Sequence, residues 1–281
     1  MLKTRMNRIF HHYEGFSTSS AGVLVPEILN ILKAANRSAR SIIDIGCGIG
    51  TFLNIFEKAG AKITGVDGEH VLAGALSWEL LFSKKHFVAM DLNAELAKSG
   101  GVAIAQTLGH FDVALCLEVA EHLPEGRAAD LVSLLCRMSD VIVWSAAIPG
   151  QTGENHYNEQ YPAYWVKLFE KDGFVFLDPF RKKFWLNNRI EWWYRQNLFL
   201  VVRRELQSKF DCEPFVGDIY ITKELFEIYV NKYNPVNEFP LPKSISFRRI
   251  IADPLRSIFK RVLQACQGLT CLKKQLFKNF K

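Results

Sequence analysis

Ser41-Ile42-Ile43-Asp44-Ile45-Gly46-Cys47-Gly48-Ile49-Gly50-Thr51-Phe52-Leu53 decides the fold. A short apolar run ends in an acid, three glycines follow at a spacing of two, and an amphipathic segment starts at once. That is a strand, a tight turn and a helix, the order that aims free backbone N–H groups at a ligand. The dinucleotide fingerprint G-x-G-x-x-G is not met, because the third glycine comes one residue early. Asp44 also stands just before the loop. A carboxylate there repels a pyrophosphate and suits a ligand carrying a cationic or amine group, which disfavours an NAD(P) dehydrogenase.

Outward from this stretch, apolar runs and amphipathic segments alternate. Strands are expected at 41–45, 62–66, 86–90, 111–117, 141–147, 174–177 and 198–202. Helices are expected at 51–59, 71–82, 127–138 and 162–171, with another following Pro26. Alternation at this spacing means crossover units and a mostly parallel sheet. Continuous apolar runs such as Val141-Ile142-Val143 fit strands buried on both faces. The fold class is therefore α/β: a Rossmann-like, seven-stranded, mostly parallel sheet with helices on both faces, plus a C-terminal helical extension. The organisation reads as a leader or cap over 1–20, the main domain over 21–205, an irregular extension over 206–242 and a basic amphipathic tail over 243–281.

Two further acids close strands. Asp67, followed by Gly68, ends the second, where a carboxylate can accept two ribose hydroxyls. Asp91, followed by Leu92, ends the third, placed to accept from an exocyclic amine beside an apolar contact for a purine.

Together these stations resemble the class I S-adenosylmethionine-dependent methyltransferases, whose first motif, acid-x-Gly-x-Gly-x-Gly, matches Asp44, Gly46, Gly48 and Gly50. The resemblance covers roughly residues 40–205. It implies that the loop, Cys47 included, wraps the methionine part of S-adenosyl-L-methionine. It also implies that Asp67 with Gly68 binds the ribose and Asp91 with Leu92 the adenine. Phe111–Val119 matches the fourth strand, whose end lies beside the reactive methyl, so that Glu118 joins the cofactor site.

After that strand comes Glu118-Val119-Ala120-Glu121-His122, and after the fifth strand the loop 148–160 with His156. Both lie at the carboxyl edge of the sheet, where ligands bind. Methyl transfer from a sulfonium is an in-line displacement that needs a deprotonated nucleophile in a dry site. Histidine has the pKa to take that proton, so His122 and His156, with Glu118, are the catalytic candidates. The E-x-x-E-H pattern with a downstream histidine is similar to that of small-RNA 2′-O-methyltransferases, and a related pattern occurs in ubiquinone-biosynthesis O-methyltransferases. That likeness implies a divalent metal such as Mg²⁺ on Glu118, Glu121, His122 and His156. The alternatives are a metal-free base, or residues that cap the next helix.

The loop 148–160 resembles a stretch of bacterial methyltransferases of uncertain acceptor. Its Gln151, Asn155, Asn158 and Gln160 offer donors and acceptors suited to a hydroxyl-rich small molecule or glycan. Tyr164, Trp165, Leu168 and Phe169 read as helix-on-sheet packing. The aromatic and basic segment 181–195 reads equally as an acceptor wall or a buried hairpin.

Composition sets the outer bounds. Over 281 residues, 49% are hydrophobic and 23% charged, a globular balance. No apolar run nears the roughly 20 residues of a membrane span, and no secretory h-region is visible. Six cysteines at 47, 116, 136, 212, 266 and 271 contain no C-x-x-C pair and read as reduced thiols in a cytoplasmic protein. The net charge of +6 is unevenly placed: 243–281 carries +9 and the remainder −3. Asp253-Pro254 opens an amphipathic basic helix, which suits docking on the body, peripheral membrane contact through 254–281, or RNA. The body shows no aromatic-interleaved basic groove, so nucleic acid is not the expected partner.

The reading is thus an S-adenosylmethionine-dependent methyltransferase, acting on an oxygen of a small-molecule or saccharide-type acceptor. The alternatives are a metal-assisted RNA 2′-O-methyltransferase and a non-catalytic cofactor-fold binding module.

Overall fold

The computed structural model describes residues 2–72 and 80–233. Seven strands form one sheet: β1 (Ser41–Ile45), β2 (Lys62–Asp67), β3 (Phe87–Ala89), β4 (Val113–Leu117), β5 (Val141–Ser145), β6 (Phe174–Leu177) and β7 (Phe199–Arg203). Their order is β3-β2-β1-β4-β5-β7-β6. The first five run parallel, and β7 is antiparallel to both β5 and β6. The expected Rossmann-like α/β sheet is present.

The helices are α1 (Leu2–Ala34), α2 (Thr51–Lys58), α3 (Leu92–Ser99), α4 (Val102–Leu108), α5 (Ala128–Met138), α6 (Pro162–Lys171), α7 (Arg181–Phe184), α8 (Trp192–Asn197) and α9 (Lys223–Tyr233). Side chains alternate across the sheet. Ile42, Val113, Leu115, Val141 and Val143 meet Leu24, Ile28, Phe52, Phe56 and Tyr194 from α1, α2 and α8 on one face. Ile43, Ala114, Cys116, Ile142 and Trp144 meet Leu131, Leu135, Trp165 and Phe169 from α5 and α6 on the other. Trp165 and Phe169 stack on Trp144 at 5.0 and 5.2 Å between centroids, as expected of helix-on-sheet packing.

Several boundaries differ from the sequence reading. The helix expected only after Pro26 begins at Leu2 and carries Pro26 in its interior. α3 and α4 were not anticipated, because each buries a single apolar side chain, Leu96 and Ile104, which leaves no period to read. α9 lies in the stretch expected to be irregular. The helix expected over 71–82 is absent at both described ends: Glu69–Val71 is one 3₁₀ turn and 80–82 is not helical, while 73–79 lies outside the described residues. The basic tail over 243–281 lies outside them as well. Segment 181–195 forms α7 and α8 rather than a hairpin, burying Arg181, Phe184, Tyr194 and Arg195. Among the described residues, no helix is long and apolar enough to cross a membrane, and Cys47, Cys116, Cys136 and Cys212 are free thiols.

In this strand order β1 and β4 are neighbours whose following connections leave in opposite directions. The crevice beyond their carboxyl ends is the topological switch point, where open α/β sheets bind ligands.

Candidate active site

The turn after β1 carries one wall of that crevice. Gly46 (φ 79°) and Gly50 (φ 86°) are both left-handed. A Cβ on Gly46 would collide with Val119, and one on Gly50 with the ring of Phe82. Both positions therefore demand glycine for conformation and for space. The Gly46–Val119 contact also brings the turns after β1 and β4 together across the switch point. Asp67 pins the loop from the neighbouring strand: Gly48 N donates to Oδ2 at 2.7 Å and Gly68 N to Oδ1 at 2.7 Å. The carboxylate expected at the ribose is thus fixed in place by two N–H groups, each oxygen keeping further acceptor capacity.

Asp44 lies under the loop, 4% exposed, on the apolar face covered by α1 and α2. Burial first, and the Asp67 charge second, push its carboxyl up to about 7. Burial likewise pushes the Cys47 thiol up, so the residue is a neutral side chain of the core. Asp91 is exposed and caps α3 through Ala94 N at 3.0 Å; Leu92 is half-buried beside it.

The turn after β4 supplies the opposite wall. Glu118 sits at φ 55°, a left-handed conformation uncommon for a residue with a Cβ. Glu121 and His122 follow in a 3₁₀ turn. The loop after β5 folds over that turn: Tyr157 N and Asn158 N both donate to the Glu121 carbonyl, at 2.8 and 3.1 Å. His156 thereby meets His122 edge-on, with ring centroids 4.8 Å apart. Glu121, His122 and His156 each offer a ligand atom within 4.8 Å of the others. Glu118, the fourth residue of the expected set, is not in that group; its Oε2 accepts from Gln151 Nε2 at 2.6 Å.

Glu159 organises the loop, accepting from Gly150 N and Thr152 N at 2.7 Å each and meeting His156 Nδ1 at 2.9 Å. A carboxylate on Nδ1 favours the tautomer with its proton there, which leaves Nε2 with the lone pair.

Buried polar atoms without a well-aligned hydrogen bond gather in this crevice. They are Glu118 Oε1, both carboxylate oxygens of Glu121, Ser145 Oγ and Asn158 Nδ2. The nearest groups are the Ser145 hydroxyl beside Glu118 and the Ala147 N–H beside Glu121. Unsatisfied buried groups are costly, and their concentration at one edge marks a place built to meet a ligand. Burial raises Glu118, and burial with the Glu118 charge raises Glu121 well above the ordinary carboxyl range, so the pair favours holding a proton. Burial, then His156, lowers His122 and keeps its imidazole neutral.

Sequence reasoning missed Gln196, Asn197 and Thr222, which are buried and linked to Gln151. The one available signal was Arg195-Gln196-Asn197, a polar run just before a strand of continuous apolar character; nothing marked Thr222.

A Rossmann-like sheet with this glycine turn, pinned by the acid of the next strand, is a nucleoside-type cofactor fold. Residues 19–137 match the family model described as a methyltransferase domain. The ubiquinone biosynthesis O-methyltransferase of Pseudomonas fluorescens strain Pf0-1 is 33% identical over 95 residues, which are 33% of this chain and 38% of that protein. Its counterpart in Pseudomonas aeruginosa strain LESB58 is 36% identical over 95 residues with the same shares. The match thus spans 38% of the length of these relatives. Among solved structures, magnesium protoporphyrin IX methyltransferase from Synechocystis PCC 6803 with bound SAH is 20% identical, with a TM-score of 0.43 over 64% of this chain and 82% of that one.

Proposed function

We propose that the protein is an S-adenosylmethionine-dependent methyltransferase acting on an oxygen of a small-molecule or saccharide-type acceptor. The observation that carries this reading is the left-handed glycine turn, pinned by Asp67 and set against the acid–histidine wall at the switch point. The curated relatives, named as O-methyltransferases, support oxygen as the acceptor atom.

S-adenosylmethionine, when bound, supplies a methyl group on a positively charged sulfur. Asp44 with the glycine loop would receive its methionine part, Asp67 and Gly68 its ribose, and Asp91 and Leu92 its adenine. Asp91 can cap α3 with Oδ1 and still accept through its second oxygen. Glu118 and Val119 close the crevice between the cofactor and the loop after β5. His122, kept neutral, or His156, oriented by Glu159, takes the acceptor's hydroxyl proton.

Glu121, His122 and His156 also fit a divalent cation such as Mg²⁺. No donor reaches the Glu121 carboxylate in good hydrogen-bond geometry, although the Ala147 N–H lies close by, and Glu159 buttresses one imidazole as outer-shell carboxylates do at metal sites. Such an ion would lower the pKa of a bound hydroxyl. The geometry favours these three residues over a set including Glu118, whose carboxylate is engaged by Gln151.

The test is methyl transfer from labelled cofactor to a panel of phenolic, saccharide and RNA acceptors, with Glu121→Gln alongside. Label on the hydroxyls of phenols or sugars is expected, weakened in the variant. Label confined to RNA would replace the acceptor, and no transfer to any class would overturn the reading.

A further inference from the structure

Four hydrogen bonds link α9 to the acid of the β4 turn, and all point the same way. Thr222 N donates to Gln196 Oε1 at 2.9 Å. Gln196 Nε2 donates to Asn197 Oδ1 at 3.2 Å, and Asn197 Nδ2 to Gln151 Oε1 at 2.8 Å. Gln151 Nε2 donates to Glu118 Oε2 at 2.6 Å. Thr222, Gln196, Asn197 and Gln151 are 1%, 2%, 2% and 6% exposed, so water does not complete these bonds.

The two ends fix the orientation of every amide. A backbone N–H can only donate, so Gln196 must turn its carbonyl to Thr222. Glu118 Oε2 accepts whether the acid pair carries one proton or none, so Gln151 turns its NH₂ to it at 2.6 Å. Both constraints give the same polarity through Asn197. Donors in series polarise one another. What the chain holds is a residue in a strained conformation, φ 55°, whose other oxygen, Oε1, is buried in the ligand crevice with no donor in good hydrogen-bond geometry, although the Ser145 hydroxyl is close enough to favour the ionised form.

α9 is held on the site at two further points. Arg195, buried, donates from Nη2 to Glu224 at 2.6 Å. Tyr229 occupies the space where a Cβ on Gly150, at φ 91°, would stand.

We propose that Gln151, Asn197 and Gln196 are positioning residues for Glu118, and that they make α9 a built wall of the active site, coupled to whatever cationic or hydrogen-bond-donating group seats on Glu118 Oε1. Residues 138–233, beyond the matched methyltransferase stretch, then contribute to the site itself. The inference rests on the methyl-transfer reading only for the identity of that ligand.

Two measurements test it. The first is ligand-free amide exchange at Thr222–Glu227 in the full chain. Gln151→Leu cuts the chain away from α9 and is expected to speed exchange at Thr222 and Leu225 by about tenfold. Asn158→Ala, in the same loop but outside the chain, is expected to leave those amides within about twofold. Asn197→Ser cuts the chain one link nearer α9 should Gln151→Leu not fold. Wild-type exchange at Thr222 in a folded chain-cutting variant overturns the coupling.

The second is a double-mutant cycle on S-adenosylhomocysteine affinity. Gln151→Leu is expected to weaken binding roughly fivefold in the wild-type background and less than about twofold alongside Glu118→Gln. Equal losses in both backgrounds would overturn the positioning role. A wild-type chain that binds no S-adenosylhomocysteine would refute the methyl-transfer reading, while the exchange measurement still decides the chain.

Discussion

At the residue scale the site is defined by positions that tolerate little. Gly50→Ala places a Cβ at φ 86° and into Phe82. The conformation alone costs about 1–2 kcal/mol, so the variant should bind S-adenosylhomocysteine about fivefold to thirtyfold more weakly. Unchanged affinity would mean that the turn does not meet the cofactor. Asp67→Ala removes the acceptor of both Gly48 and Gly68 and should cost roughly 1–3 kcal/mol of cofactor affinity, read by calorimetry. Affinity at the wild-type level would place the ribose elsewhere. Glu121 and Glu118 favour a shared proton in the buried crevice. A metal seated on Glu121 must displace that proton, so Mn²⁺ affinity should rise with pH and should be lost in Glu121→Gln. Binding that ignores pH and survives the substitution would remove the metal from this cluster.

At the element scale, the strands were the legible part. Ile42-Ile43, Val141–Trp144 and Phe174–Leu177 are continuous apolar runs because both faces are covered, and their short length between turn residues reads as strand. α3, α4 and α9 were illegible for the opposite reason: they lie at the rim, so they show no apolar stripe. Asp44, Asp67, Glu121, His122 and His156 could be picked out because strand ends place chemistry at one edge. Gln196, Asn197 and Thr222 could not, since only the folding of 204–222 brings α9 against α8.

Arg195 shows what holds that arrangement. It is buried and donates to Ile190 O, Trp185 O and Glu224. Arg195→Met should cost roughly 3 kcal/mol in chemical denaturation, because two carbonyls and a carboxylate lose their donor. Glu224→Gln, at a partly exposed acid, should cost under about 1 kcal/mol. Equal costs would show that Arg195 is not the anchor.

At the scale of the whole molecule, charge is partitioned. The chain is +6, but 243–281 contributes +9, leaving an acidic remainder that contains Asp44, Asp67, Glu118 and Glu121. Those acids suit a ligand with a positive sulfur and an ammonium group. Asp44 turns this into a pH dependence. Its carboxyl is raised to about 7 by burial and by Asp67, so below that pH it is protonated and a cationic ligand must expel the proton. Binding should therefore strengthen as pH rises through about 7. The same shift makes Asp44 a cost to folding once it ionises: between 3.8 and about 7 the folded chain binds more protons than the unfolded one, and stability falls as pH rises across that window. The most direct test of the central claim is calorimetric titration of the full chain with S-adenosylhomocysteine at pH 6 and pH 8, in buffers of different ionisation enthalpy. Saturable one-to-one binding with proton release at pH 6 that fades at pH 8 is the predicted result, and no binding at either pH would contradict it.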